Sequence, residues 1–439
     1  MLGLGVMLMV IAHQVWLQTR GWRFNAMSPY FLVDFLIFTL IGLGSLVEPL
    51  PHRSLTEEIL FSVFVLSGLA GYYLGLHFPC AALHKRWLAP AAARIPLLRL
   101  FSLFSIQTPL LLLAIIGVVA FLLVQRISAL GLGFADMLSL SALQIHAQVA
   151  TEGLGALPVI IVYIITVMVL IHLYRLLQMH RYAVAFGFYV VLTVSYLLIA
   201  STRIPVLLCL SAPIAYYHYT IRRINRLLLV ALLVGAPVAI TLLHGLRSNA
   251  LFAWTVFDRL VAWTVSDRLV AEIIVLKSFH TLWQRYVDGS VNLEWGANYY
   301  YYSPLTFVPR ALWAEKPQTS FETRWTMNLF GSLLDEDGQI SVHTFTPWGE
   351  GLVQFGWLGG VVNLFLYGLI LSYAIRFFRN RPHACMVYYF YAVLAATFVR
   401  TSVQALAFTT LLYLVAVWLY EAIFMKRPSS EEVIAQCAS

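Results

Sequence analysis

Apolar runs, each of a length that crosses a bilayer, recur along this chain. They lie at 1–17, 30–47, 59–78, 108–124, 158–178, 182–200, 204–221, 227–246, 352–375, 385–399 and 406–424. A hydrocarbon core about 30 Å thick takes roughly 17–25 apolar residues as a helix. The runs therefore predict an all-α polytopic membrane protein with eleven transmembrane helices, 385–399 being the shortest. Composition excludes the soluble alternative. Of 439 residues, 61% are hydrophobic and 11% charged, against about 25% charged in a soluble domain. So few charges cannot coat two or three soluble domains.

The net charge of +8 reads as topology, not as nucleic-acid binding, because basic residues gather on the cytoplasmic side of membrane helices. One set of alternate loops holds Arg20, Arg23, Lys85, Arg86, Arg94, Arg99, Arg175, Arg181, Arg222, Arg223, Arg226, Arg376, Arg379, Arg381, Lys426 and Arg427. The short loops of the other set hold Arg53, Arg126, Arg203, Arg247 and Arg400. This bias places the N-terminus outside and the C-terminus in the cytoplasm. The four cysteines include no CxxC pair, so a thiolate metal site is not expected. The first residues lack the basic start of a cleavable signal peptide.

The layout divides into helices over 1–247, a large outer loop at 248–350, helices over 351–425 and a cytoplasmic tail at 426–439. The loop carries eleven of the twenty acidic residues and seven of the twelve tryptophans. It has no cysteine, so packing must hold it, and its Trp content with the Tyr299–Tyr302 run argues against disorder. Within it, the nine-residue unit starting at Ala253 repeats at once from Ala262. We read 252–286 as one or two helices near the membrane surface. In the spans, Asp34 and Glu421 sit near helix ends. His13 and His172 stand isolated and read as buried polar contacts between helices. Ion-coupled transporters place acids or histidines near the midplane, so this scarcity speaks against a pump.

Arg203, Arg247 and Arg400 are exceptions to the charge rule on the outer face. Each alone reads as a snorkelling anchor; together they resemble an anion site, since guanidinium forks suit phosphate oxygens. Arg310 and Lys316 lie in the proline-bracketed segment Ser303–Pro317, a rigid irregular element. Glu350 just precedes an apolar run, where a carboxylate either complements that helix's dipole or serves as a base. Asp335 and Asp337 read as an acidic turn, so no metal site is expected. No Walker A, GxSxG or HExxH motif occurs.

Four features resemble the bacterial O-antigen and capsule repeat-unit polymerases of the Wzy type. They are Phe307–Pro317, the Gly349-Glu350…Phe355-Gly356…Gly359 stretch, the Ser201-Thr-Arg203 hairpin and the many-span layout with one late outer loop. The resemblance implies a C-type membrane glycosyltransferase on the outer face of the bacterial inner membrane, acting without a cofactor. Donor and acceptor are undecaprenyl-diphosphate-linked glycans. Its companions are a chain-length regulator and a flippase. Cations aimed at the leaving diphosphate lower the barrier, which suits Arg310, Lys316, Arg203, Arg247 and Arg400. The acceptor hydroxyl needs a base, with Glu350 the first choice and His343 the second. Trp313, Trp348 and the tyrosine run suit either a glycan groove or an interfacial belt. Two other readings stand beside this one, an O-antigen ligase with the same donor and a flippase that makes no bond.

Overall fold

The structure, a computed structural model, describes residues 2–20, 28–47, 50, 54–78, 104–130, 157–199, 216–217, 265–306, 308, 312–313, 315–331, 343–400 and 402–424. Among these residues the regular structure is helical throughout. The helices are α1 (Leu2–Thr19), α2 (Pro29–Ile37), α3 (Gly44–Val47), α4 (Leu55–His77), α5 (Phe104–Leu130), α6 (Leu157–Gln178), α7 (Tyr182–Ile199), α8 (Val265–Val287), α9 (Ser303–Leu305), α10 (Phe321–Phe330), α11 (Thr346–Phe355), α12 (Trp357–Arg379), α13 (Cys385–Thr397) and α14 (Val403–Phe424). A π-helical stretch, Phe38–Leu43, joins α2 to α3. Among the described residues, five segments are long and apolar enough to cross a membrane: Leu2–Thr19, Pro29–Leu46, Leu55–His77, Trp357–Arg379 and Val403–Phe424. They mark a multi-pass membrane protein. Parts of α5, α6 and α7, and the segment Cys385–Arg400, are shorter apolar helices. The runs at 204–221 and 227–246, and both copies of the repeat up to Thr264, lie outside the described residues.

Contacts give the helices their relative directions. Gly3 of α1 approaches Leu46 while His13 meets Asp34, so α1 and α2 are antiparallel. Gly5 meets Leu66 and His13 meets His77, so α1 and α4 are parallel. In the same way α12 runs parallel to α4, with Val361 at Gly71 and Phe365 at Gly75. Tyr367 bonds the carbonyl of Ala395 while Phe378 packs on Tyr391, which makes α13 antiparallel to α12. Tyr163 packs on Tyr413 and Arg175 reaches the carbonyl of Phe424, so α6 parallels α14.

Small residues make the closest of these contacts. A Cβ on Gly71 would lie 2.5 Å from the Val361 carbonyl oxygen, and one on Gly368 would lie 2.7 Å from the Leu76 nitrogen. Glycine lets two backbones meet, and packing of that kind drives helix association in lipid, where no hydrophobic force acts between helices.

Two expectations are corrected here. The run at 352–375 is not one helix. It breaks at Gly356, whose φ of +65° and ψ of −143° suit only glycine. The helix α11 then folds back on α12, with Gly351 against Gly359. His13 and His172 do make the expected buried polar contacts between helices, but they are not isolated. His13 contacts Asp34 and His77, and His172 lies 3.1 Å from the Thr108 hydroxyl and 3.3 Å from that of Tyr420.

Candidate functional site

The described part of the 248–350 segment is packed, as its tryptophans require. Phe279 and Trp283 of α8 bury against Phe61 and Phe64 of α4, and Leu282 is buried beside Gly349. Phe321, Trp325, Phe345 and Trp348 are buried with them. This places α10 and α11 over the ends of the membrane helices where α12 and α14 begin.

Glu350 lies inside α11 and is completely buried. Its Oε1 accepts from the Asn298 side-chain amide and from the Gln404 backbone N–H at 3.3 Å. Its Oε2 accepts from Asn363 Nδ2 at 3.1 Å and the Val403 N–H at 2.6 Å. The carboxylate therefore complements a helix start, where N–H groups lack intrahelical partners. The helix is α14, fifty residues on, and not the one that follows Glu350. Burial lifts Glu350 from 4.5 to about 7 against the pull of its donors, with the nearby Glu322 carboxylate adding to the rise.

Glu294 forms the second half of the same network. It receives both ends of the Arg324 fork at 2.6 and 3.2 Å, the Trp325 indole N–H at 3.1 Å and Gln354 Nε2 at 2.6 Å. The Arg324 guanidinium lies 3.5 Å from the Tyr302 ring centroid and also donates to Asn298 Oδ1 at 3.0 Å. That contact orients the Asn298 amide so that its NH₂ faces Glu350. Asn363 closes the chain by accepting from Tyr299 and donating to the Pro347 carbonyl. Six polar side chains from α10, α11, α12 and the Glu294–Asn298 turn are thus linked in one network, in which Arg324 Nε alone of their named polar groups is buried without a partner; in such a setting each satisfied bond matters. At the start of α11, Thr346 holds a φ of +63° and a buried hydroxyl with no hydrogen-bond partner. A β-branched residue in that region is strained, and the Pro347–Asn363 bond helps hold it there.

The expected residues are distributed as follows. Arg203, Arg247, Arg310, Asp335 and Asp337 lie outside the described residues. Arg400 ends the 3₁₀ turn Phe398–Arg400 that leads toward α14, at the same end as Glu350. Lys316 is buried, and its ammonium donates to the Val308 carbonyl at 2.8 Å. Gln404 Nε2 donates to the Thr319 carbonyl at 3.3 Å. His343 is half-buried: Nδ1 lies 3.0 Å from the Ser278 hydroxyl and the ring stacks on Phe330. Partial burial holds it below the usual imidazole range, so it is neutral near pH 7. Trp313 is exposed. Trp348 requires a correction: it is core, with no face for a sugar. Its indole is fully buried against Gly68 and donates to the Val65 carbonyl at 2.9 Å. Among the described residues, no three His, Cys, Asp or Glu side chains are grouped to hold a metal ion.

Sequence reasoning missed Glu294, Asn298, Arg324, Gln354 and Asn363. Asn363 was the legible one, an amide alone in an apolar helix. The others stand among many polar loop residues, and only the fold brings them together. Comparison with family models, with curated proteins and with solved structures finds no match to this chain.

Proposed function

We propose that this protein is a membrane glycosyltransferase that polymerises undecaprenyl-diphosphate-linked repeat units at the outer face of a bacterial inner membrane. The observation that carries the reading is the anchoring of the proline-bracketed segment. Lys316 closes it on Val308, and Gln404 ties it to the helix start that Glu350 caps. The described ends of the segment that contains Arg310 in sequence are thus tied to the start of α14. Arg175, Arg376 and Arg379 lie at the opposite ends of their helices, as they would if the network faced outward.

In the reaction, an acceptor hydroxyl oxygen forms a bond to the donor's anomeric carbon. The anomeric C–O bond to the diphosphate breaks, and undecaprenyl diphosphate leaves with the electron pair. Arg310, with Arg203, Arg247 and Arg400, stabilises that leaving charge. The acceptor proton goes to His343, neutral and partly open to solvent. Glu350 is sealed behind four donors and acts as a positioning residue. The exposed Trp295, Tyr300, Tyr301 and Trp313 supply apolar faces for sugar rings.

The test is reconstitution of purified protein in lipid with lipid-linked repeat units. Long glycan on a lipid carrier and free undecaprenyl diphosphate are expected; recovery of unchanged substrate sinks the reading. Glycan analysis of a deletion strain separates the neighbouring classes. Surface glycan capped with one repeat unit marks a polymerase. Loss of all attached glycan marks a ligase, and units trapped inside mark a flippase.

A further inference from the structure

A second polar cluster lies within the membrane helices, away from Glu350 and toward the other end of α1 and α4. Asp34 of α2 is fully buried. It accepts from His13 Nδ1 at 2.5 Å and from Gln14 Nε2 at 2.5 Å, both on α1, and from the Tyr73 hydroxyl of α4 at 3.4 Å. The His13 ring packs on the Tyr73 ring at 4.1 Å. Its other nitrogen, Nε2, lies 2.9 Å from Nε2 of His77. His77 is the last residue of α4 and is exposed, with its ring edge-on to Trp16.

We propose that Asp34, His13 and His77 form a proton-binding site inside the membrane helices, loaded through His77. Hydrogen-bond geometry defines this site, independently of the glycosyl transfer proposed above. An imidazole-to-imidazole contact needs one N–H and one lone pair. His13 gives its Nδ1–H to Asp34. In the unloaded state, neutral His77 donates its Nε2–H to the lone pair on His13 Nε2, and the three groups carry one negative charge. A proton arriving at His77 Nδ1 makes an imidazolium, which can hand its Nε2 proton across to His13. The new imidazolium then faces the Asp34 carboxylate, and His77 is again neutral. Every contact survives, and a buried negative charge becomes a neutral set. A second proton has no such place, because two imidazolium rings would point N–H at N–H. The site therefore holds one proton.

The surroundings suit that role. An ionisable cluster within the membrane is costly unless paired, and is by default functional. The groups facing it are Tyr72 and Tyr73 on α4, Tyr30 on α2, and Arg376 and Arg379 on α12; Arg376 acts on His77, and both arginines act on Tyr30. Arg20 sits over the Trp16 ring at 5.4 Å.

The test uses full-length protein labelled with ¹⁵N-histidine in lipid nanodiscs, with ring resonances followed over roughly pH 5–8, where imidazoles titrate. His13 and His77 should move together in one step that carries a single proton. His77→Phe keeps a ring against Trp16 without a nitrogen, and should displace the His13 step by about one pH unit or more. His77→Gln should do the same, and Asp34→Asn should displace it independently. The His172 and His383 signals report whether each variant is folded. A His13 titration that is unchanged in folded His77→Phe or His77→Gln overturns the proposal.

Discussion

Glu350 offers two oxygens to four donors, and that count decides what a substitution does. Glu350→Gln keeps the shape, yet its amide nitrogen would face two N–H groups. If Oε2 is replaced, Asn363 and the Val403 N–H lose their acceptor; if Oε1, Asn298 and the Gln404 N–H do. The expected cost is roughly 2–4 kcal/mol, because two buried donors are left unmade. Folded protein and activity should then fall together, in contrast to a base, whose loss spares folding. His343→Gln should show the opposite pattern, with near-normal melting and turnover lower by roughly 10²–10⁴-fold. Turnover within a few-fold of wild type would remove His343 from the mechanism. Titration supplies a separate check on Glu350. Its native value of about 7 lies above the free value of 4.5. The native state thus holds more protons between these values, and this group's contribution to stability falls as pH rises through that window. Melting temperature measured across the window should decline in wild type, and Glu350→Gln should lose that part of the slope.

At the scale of elements, helix existence was legible and helix packing was not. Apolar length announced α1, α4, α12 and α14, because a bilayer fixes how long a span must be. The break at Gly356 was hidden, since an apolar helix that folds back reads like one that continues. Within the Gly349–Gly359 stretch, Gly351 and Gly359 allow the two backbones to approach, while Gly349 and Gly356 pack against side chains. Glu350 was noticed, but its role as cap for α14 depends on a contact fifty residues away that no local pattern carries. The glycines of α4 allow a direct test. Gly71→Val would drive a side chain into the Val361 carbonyl, a backbone atom that cannot rotate aside. Overpacking typically costs about 1–3 kcal/mol, and the upper end is expected here. Gly117→Val, in a part of α5 with nothing within 4 Å of the added Cβ, is the control. The yield of detergent-stable protein should fall for Gly71→Val and hold for Gly117→Val; equal yields would remove the close α4–α12 contact.

For the whole molecule, direction and charge together set an expectation of sidedness. The helices α1, α4, α12 and α14 share one direction, while α2 and α13 run against it. Arg376 and Arg379 lie in the last turn of α12 and Arg175 in the last turn of α6, whereas Glu350 lies at the starts of α12 and α14. One end thus gathers Arg175, Arg376 and Arg379, and the other carries the buried network, with Arg324 paired to Glu294, and the exposed aromatics. The charge rule assigns the cationic face to the cytoplasm, so the network should face outward and the chain should end inside. Arg381 and His383 strengthen the cationic face by holding Glu421 at 2.6 and 2.9 Å, which neutralises an acid at the foot of α14. Reporter fusions read this directly. An alkaline phosphatase fusion after Gly289, in the turn that follows α8, should be active, because that enzyme matures only outside the cytoplasm. A green fluorescent protein fusion after Arg427 should fluoresce, because that protein folds when made inside. If the Gly289 fusion is inactive while a cytoplasmic reporter at the same site works, the network faces inward. The lipid-linked donor would then be on the wrong side, and the polymerase reading would fall with it.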